Sequence, residues 1–241
     1  MRILILGGTS FVGYHIVQAG LDRGHELTLF HRGKTGADEF GDQVEHLHGD
    51  RDPLDPSGTG GLAALAGART WDVVIDVSGY VPRIVKASLE LLKDRCETYL
   101  YVSTISVYDL PLGDKQPEDV PHATIEDTAT EEITPATYGA LKSLCETEVL
   151  TACPHKALIV RLGVVAGPRD YTDRFSYWVL AAQNATDQVL CPGSPDDPVQ
   201  MIDVRDLATF LISQSESQAR GAFNAAGHAN ESTWGEMIAA C

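Results

Sequence analysis

The sequence has little positive charge. Its 18 Lys and Arg residues face 34 Asp and Glu, a formal net charge of −16. Such a chain repels phosphate backbones, so general nucleic-acid binding is disfavoured. No apolar run approaches the roughly 20 residues of a membrane span. The apolar segment Ile3–Leu6 begins almost at the first residue. That leaves no room for a charged leader, a longer apolar core and a cleavage site. These absences point to a cytoplasmic protein with neither a membrane nor a nucleic-acid partner. Cys96, Cys145, Cys153, Cys191 and Cys241 are odd in number and form no CxxC pair. Free thiols in a reducing compartment are expected, not a zinc site or a disulfide frame. The His residues, His46 and His48 among them, show no ligand spacing with a carboxylate and read as surface or packing residues. Repeats and low-complexity stretches are missing, and an apolar content of 44% can offset the ordering entropy of folding.

What is present is alternation. Arg2–Leu6 has the look of a strand buried on both faces. Phe11–Arg23 follows with helical spacing, and Gly24 stands where a helix C-cap belongs. Further strands are expected at Glu26–Phe30, Val44–His48, Trp71–Val77, Thr98–Ser103 and Ala157–Arg161. Helices are expected around Gly61–Leu65, over Val81–Lys93, and from Thr134–Pro135 to about Leu150, with Thr134 as N-cap. This order predicts an α/β Rossmann fold, a doubly wound parallel sheet with right-handed crossovers. Residues 1–166 form the dinucleotide-binding unit in this reading. Residues 167–241 are expected to be a small, incomplete C-terminal substrate region. Within it, 199–226 returns to the sheet as strand Val199–Ile202, helix Val204–Ser213 and strand Gly221–Ala226, and Thr233–Ala240 begins a last helix.

The first strand is followed by Gly7-Gly8-Thr9-Ser10-Phe11-Val12-Gly13 and then the helix. Gly7 permits the tight turn. Small residues let backbone N–H groups approach a pyrophosphate at the positive helix end, and Gly13 lets the helix pack close to the sheet. Thr9, Ser10, Phe11 and Val12 belong to the same turn. The plain alternative is a structural strand-to-helix turn. An acid after the second strand would hold the ribose of NAD. Here that position reads His31-Arg32-Gly33-Lys34, with no acid and two cations. Arg32 and Lys34 suit a 2′-phosphate, which favours NADP over NAD. Otherwise Arg32 covers an adenine face or lies in solvent. Asp50 and Arg51 follow the third strand, where adenine contacts are expected. Ser78 and Gly79 follow the fourth, close to the reactive ring.

Tyr138-Gly139-Ala140-Leu141-Lys142 places Tyr and Lys at i and i+4, on one helix face. A nearby ammonium is expected to lower the Tyr pKa and so fit it for proton exchange with an alcohol or carbonyl oxygen. An ordinary exposed helix pair is the alternative. Thr104 ends the fifth strand, where its hydroxyl would bond the same oxygen.

With the glycine turn, Gly49-Asp50-Arg51, Ser103-Thr104, Tyr138-x-x-x-Lys142, Arg161…Gly167-Pro168 and Val204-Arg205-Asp206, nearly the whole chain resembles the short-chain dehydrogenase/reductase superfamily. Within it the chain is most similar to the NAD-dependent epimerase/dehydratase branch. The resemblance implies a Rossmann domain with a small substrate domain. It also implies Tyr138 as acid–base residue, Lys142 on the nicotinamide ribose, and Thr104 as the catalytic Ser/Thr. Many members pair through two helices, so a homodimer is an expectation. Three departures stand out. The usual middle glycine of the turn is Ser10. Ile105-Ser106 replaces the Asp-Glu of dehydratases. Val164 replaces the Asn of nucleotide-sugar epimerases. The expectation is an NAD(P)-dependent oxidoreductase acting on a small carbonyl or alcohol. A non-catalytic cofactor-binding sensor and an epimerase using cofactor transiently are the rivals.

Two segments carry open readings. From Asp109 to Thr134, the acids Asp109, Asp114, Glu118, Asp119, Glu126, Asp127, Glu131 and Glu132 face only Lys115. This is a solvated acidic loop or a lid. Tyr171, Phe175 and Trp178 fall at i, i+4 and i+7, a helical stripe expected in the core, with a pocket wall as the alternative.

Overall fold

The computed structural model describes residues 1–54, 60–109, 117–185, 188–227 and 232–241. Nine strands are assigned among them: β1 Arg2–Leu6, β2 Glu26–His31, β3 Glu45–His48, β4 Trp71–Asp76, β5 Cys96–Thr104, β6 Ala157–Leu162, β7 Val164–Ala166, β8 Met201–Asp203 and β9 Gly221–Ala225. Six α-helices accompany them: α1 Phe11–Asp22, α2 Pro82–Leu92, α3 Tyr138–Ala152, α4 Ser176–Asn184, α5 Val204–Glu216 and α6 Trp234–Ala240.

The main sheet has the order β3-β2-β1-β4-β5-β6-β9, every pair parallel. This is the doubly wound α/β arrangement. Alternate residues of each strand feed opposite faces. Ile3, Ile5, Val73, Ile75, Leu100 and Val102 join Ile16 and Val17 of α1 and Leu207 and Leu211 of α5 in one core. Leu4, Leu6, Val74, Tyr99 and Tyr101 join Val85 and Leu89 of α2 and Cys145 and Val149 of α3 in the other. The order reverses between β1 and β4, and a crevice opens at the carboxyl ends there.

Several local expectations change. Around Gly61–Leu65 only a single 3-10 turn, Ala63–Leu65, forms. Thr134 does accept the Thr137 N–H, at 3.2 Å, but the regular helix starts at Tyr138. The Thr134 side chain and carbonyl close a separate turn first, the carbonyl accepting from Tyr138 N. Of the 199–226 segment, β9 joins the large sheet, whereas β8 pairs with β7 outside it. Tyr171, Phe175 and Trp178 form no single helical stripe, because α4 begins only at Ser176. Nor do they lie in the core: Tyr171 is 76% exposed, Phe175 is exposed, and Trp178 is half-buried against Trp234. Asp114 and Lys115 lie outside the described residues. The flanking parts of the acidic connection are tied down rather than only solvated. Glu131 pairs with Arg83 of α2, and the Glu118 carbonyl accepts from Arg161. All five cysteines are free thiols, and Cys96, Cys145 and Cys153 are buried. Among the described residues, no helix is long and apolar enough to cross a membrane.

Candidate active site

The crevice holds two adjoining cavities. One, of about 510 Å³, is walled by Gly7–Gly13, Ser78, Tyr80, Thr104, Tyr138 and Lys142, with Tyr171, Thr172 and Arg174 from the C-terminal region. The other, of about 370 Å³, is walled by Thr9, Ser10, His31–Thr35, Asp50, Arg51, Ser78 and Ile133. Both fall in the size range of small-molecule sites.

The glycine turn has the geometry an anion cradle requires. Gly7 and Gly8 take φ of +114° and +101°, which an L side chain rarely adopts. A Cβ on Gly13 would lie 2.8 Å from the Gly8 backbone, so this glycine sets the close approach of α1 to the turn. Ser10 has φ −140°, extended backbone open to any residue, so its departure from glycine strains nothing. The strain sits one residue later, where Phe11 is held at φ +32°. Neither a side-chain cap nor an acid in the first turn occupies the N-terminus of α1. Its N–H groups and positive dipole end therefore face the larger cavity.

The Tyr138 end of the crevice is built from side chains that are buried or half-buried. Thr104 closes β5, and its Oγ1 accepts from the Ser106 N–H and donates to Ser106 Oγ, both at 3.1 Å. Tyr138 opens α3 beside it. Sequence reasoning missed what brings these two elements together, namely Gly139. A Cβ there would lie 2.0 Å from the Ser106 carbonyl oxygen, a contact no side chain allows. The glycine was visible inside the Tyr-Lys motif, but nothing in one sequence says what it touches. Lys142 is 2% exposed, and its Nζ donates to the carbonyls of Gly79 and Val102, each at 2.7 Å. It also lies 4.1 Å from the Tyr101 ring centre. Gly79 lies behind the cavity wall and acts through this carbonyl.

The electrostatics correct one expectation. Burial pushes Tyr138 above the ordinary tyrosine value, while the Thr104 hydrogen bond and Arg174 pull it down. The net direction is upward, not the lowering expected from Lys142. The Lys142 ammonium is turned toward two carbonyls, and burial pushes it down to about 8.

At the other end Arg51 behaves differently from the other predicted contacts. It reaches the cavity wall, but its guanidinium turns inward to a bidentate pair with the fully buried Asp76, at 2.6 and 2.7 Å. It also donates to Ser78 Oγ and Ser88 Oγ. Burial disfavours the Asp76 carboxylate, yet the Arg51 charge and hydrogen bonds outweigh this and hold it below its usual range. Asp76 was also missed; its signal was a lone acid at the carboxyl end of an apolar strand. Arg32 and Lys34 are exposed. Arg32 is 4.0 Å from Asp50, too long for a tight pair.

The model of the NAD dependent epimerase/dehydratase family matches residues 3–226. The chain belongs to that family. Among curated proteins it is similar to the chloroplast stem-loop binding protein of 41 kDa b of Arabidopsis thaliana. The two are 28% identical over 241 residues, covering 94% of this chain and 58% of that protein's length. Among solved structures it is similar to a UDP-glucuronic acid 4-epimerase from Bacillus cereus in complex with NAD, with a TM-score of 0.71 at 20% identity. That match covers 94% of this chain and 78% of the other. A dTDP-glucose 4,6-dehydratase from Bacillus anthracis in complex with NAD gives a TM-score of 0.70 at 17% identity, covering 95% and 76%. At these identities the likeness is one of fold.

Proposed function

We propose that the chain is an NAD(P)-dependent oxidoreductase that interconverts a small carbonyl compound and its alcohol, with Tyr138 as acid–base residue. The observation that carries this reading is the convergence of Thr104, Tyr138, Lys142 and the glycine turn on one cavity of about 510 Å³. A bound nicotinamide cofactor supplies or takes up the hydride. The turn Gly7–Gly13 fits its pyrophosphate, because the two positive-φ glycines and the open α1 N-terminus leave backbone N–H groups free of side-chain competition.

The raised pKa keeps Tyr138 protonated at neutral pH, the form that donates to a carbonyl oxygen. The Thr104 hydroxyl lies beside Tyr138 and, by turning its single O–H away from Ser106 Oγ, offers a second hydrogen bond to the same oxygen. Two of the three Lys142 N–H donors are engaged by carbonyls, and the third would be left to hold a ribose hydroxyl of the bound cofactor. In the alcohol-to-carbonyl direction the proton returns to Tyr138 Oη. Arg32 and Lys34 favour a cofactor with a 2′-phosphate, NADP before NAD. The partner is a small-molecule substrate, with a second copy of the chain as the only protein partner considered. Nucleic-acid binding, the property in the curated relative's name, is not part of this reading, since the net charge of −16 opposes it. Free, buried thiols fit a reducing compartment, and we assign the cytoplasm.

The test is a carbonyl panel assayed with NADPH and NADH. Consumption of cofactor that disappears in Y138F, with cofactor binding retained, supports the reading. A Y138F variant at full rate refutes it. Substrate conversion with no net change in cofactor selects an epimerase of transient cofactor use.

A further inference from the structure

The carboxyl ends of β2 and β3 carry three histidines that touch one another. The His31 and His48 rings are 4.8 Å apart, and the His31 and His46 rings 5.1 Å apart. Their hydrogen bonds settle where the protons are. The Gly33 N–H donates to His31 Nδ1 at 3.1 Å. A backbone N–H can only donate, so Nδ1 is bare and the His31 proton sits on Nε2. His31 Nε2 lies 2.9 Å from His46 Nδ1 and must donate to it. The His46 proton is thereby placed on Nε2, which is buried with no hydrogen-bond partner among the described residues. His31 is 8% exposed, and burial with its two histidine neighbours pushes it down to about 4, in keeping with a neutral ring.

The bond from Gly33 N–H to the side chain two residues back is the pattern of an Asx turn, made here by an imidazole. Gly33 takes φ +69°, and a Cβ on it would sit 3.1 Å from His48 Nδ1. The turn is thus held by the His31 hydrogen bond, with His48 close against Gly33. It carries Arg32 and Lys34 on either side of Gly33, at the wall of the smaller cavity.

We infer that His31 is a specificity-positioning residue. Through the Gly33 N–H it fixes the turn that presents Arg32 and Lys34 to a ribose 2′-phosphate. The inference rests on the NADP reading of the proposed function and assigns to the histidine relay the task of holding it in place. A neutral His31 ring suits this task. It adds no charge of its own, so discrimination stays with the two cations.

The test is isothermal titration calorimetry of the full chain with adenosine 2′,5′-bisphosphate and with 5′-AMP, in the native protein and in H31L, H31N and R32A. The native protein is expected to prefer the bisphosphate. In H31L the ratio of the two affinities should fall about tenfold, the loss of one well-placed charge-assisted contact. H31N should restore it, because Asn Oδ1 can accept the same N–H. A native-like ratio in H31L overturns the role of His31 while leaving the phosphate reading intact. No native preference, or an unchanged ratio in R32A, overturns the phosphate reading and the inference with it. If H31L does not fold, long-range nitrogen–proton NMR of the native imidazoles decides. An Nε2–H tautomer at His31 is expected, and an Nδ1–H tautomer overturns the inference.

Discussion

The two ends of the crevice are built on opposite principles. Around Tyr138 and Lys142 the polar groups are buried or half-buried, and their partners are backbone carbonyls or a neighbouring hydroxyl. Around Arg32 and Lys34 the cations stand in solvent, while the cation beside them, Arg51, is locked to Asp76. Two arginines at the wall of one cavity therefore differ, Arg51 paired inward and Arg32 exposed at the rim. Burial separates them: a guanidinium inside the protein needs its carboxylate, whereas one at the rim can exchange water for an anion. In the proposed reading the buried end fixes geometry and the exposed end selects charge.

The sharpest break of this contrast is at Tyr138. Y138F should lower kcat on any substrate found in the carbonyl panel by roughly 10²–10⁴-fold. Its cofactor dissociation constant, read by fluorescence titration, should not change. R51L removes the partner of a buried carboxylate and should destabilise the chain by about 3–5 kcal/mol in urea unfolding. If Arg51 is instead a ligand contact, R51L will weaken cofactor binding with an unchanged urea midpoint.

A third effect is set by pH. The folded pKa of His31 is lowered from 6.5 to about 4. Its contribution to stability is therefore complete above pH 6.5 and is lost as pH falls through 4, where protonation sets it against His46 and His48. The loss is at most about 3 kcal/mol. H31N, which does not titrate, should flatten that part of the stability profile between pH 7 and pH 4. An effect of similar size is expected at Gly139. G139A forces α3 away from Ser106 and should cost about 1–3 kcal/mol, with a drop in kcat and little change in cofactor affinity. A change in affinity alone would place the damage at the other end of the crevice.

Most of the fold was legible because its signals are local. Apolar runs of five or six residues alternate with helical periodicity, and each β-strand of the large sheet lies within a few residues of its expected position. The glycine turn and the Tyr-Lys helix were legible as motifs, and the structure brings both to one cavity. What could not be read depends on contacts distant in sequence. The Arg51–Asp76 pair joins residues 25 apart, and Gly139 meets Ser106 across a long connection. The histidine relay joins two strands, so a search for metal-ligand spacing passed over it. The core reading of Tyr171, Phe175 and Trp178 failed because periodicity cannot tell a helix from the turn that precedes one, whereas Tyr171 does stand in the wall of the larger cavity, as the alternative had it. The pKa of Tyr138 was misjudged because spacing on a helix gives proximity, not the direction in which a lysine points.

The most direct test is a fluorescence titration of the native chain with NADPH and with NADH. The account predicts that both bind at the crevice and that NADPH binds more tightly, through Arg32 and Lys34. Binding of neither would contradict the reading of the crevice as a dinucleotide site, and with it the role assigned to Tyr138.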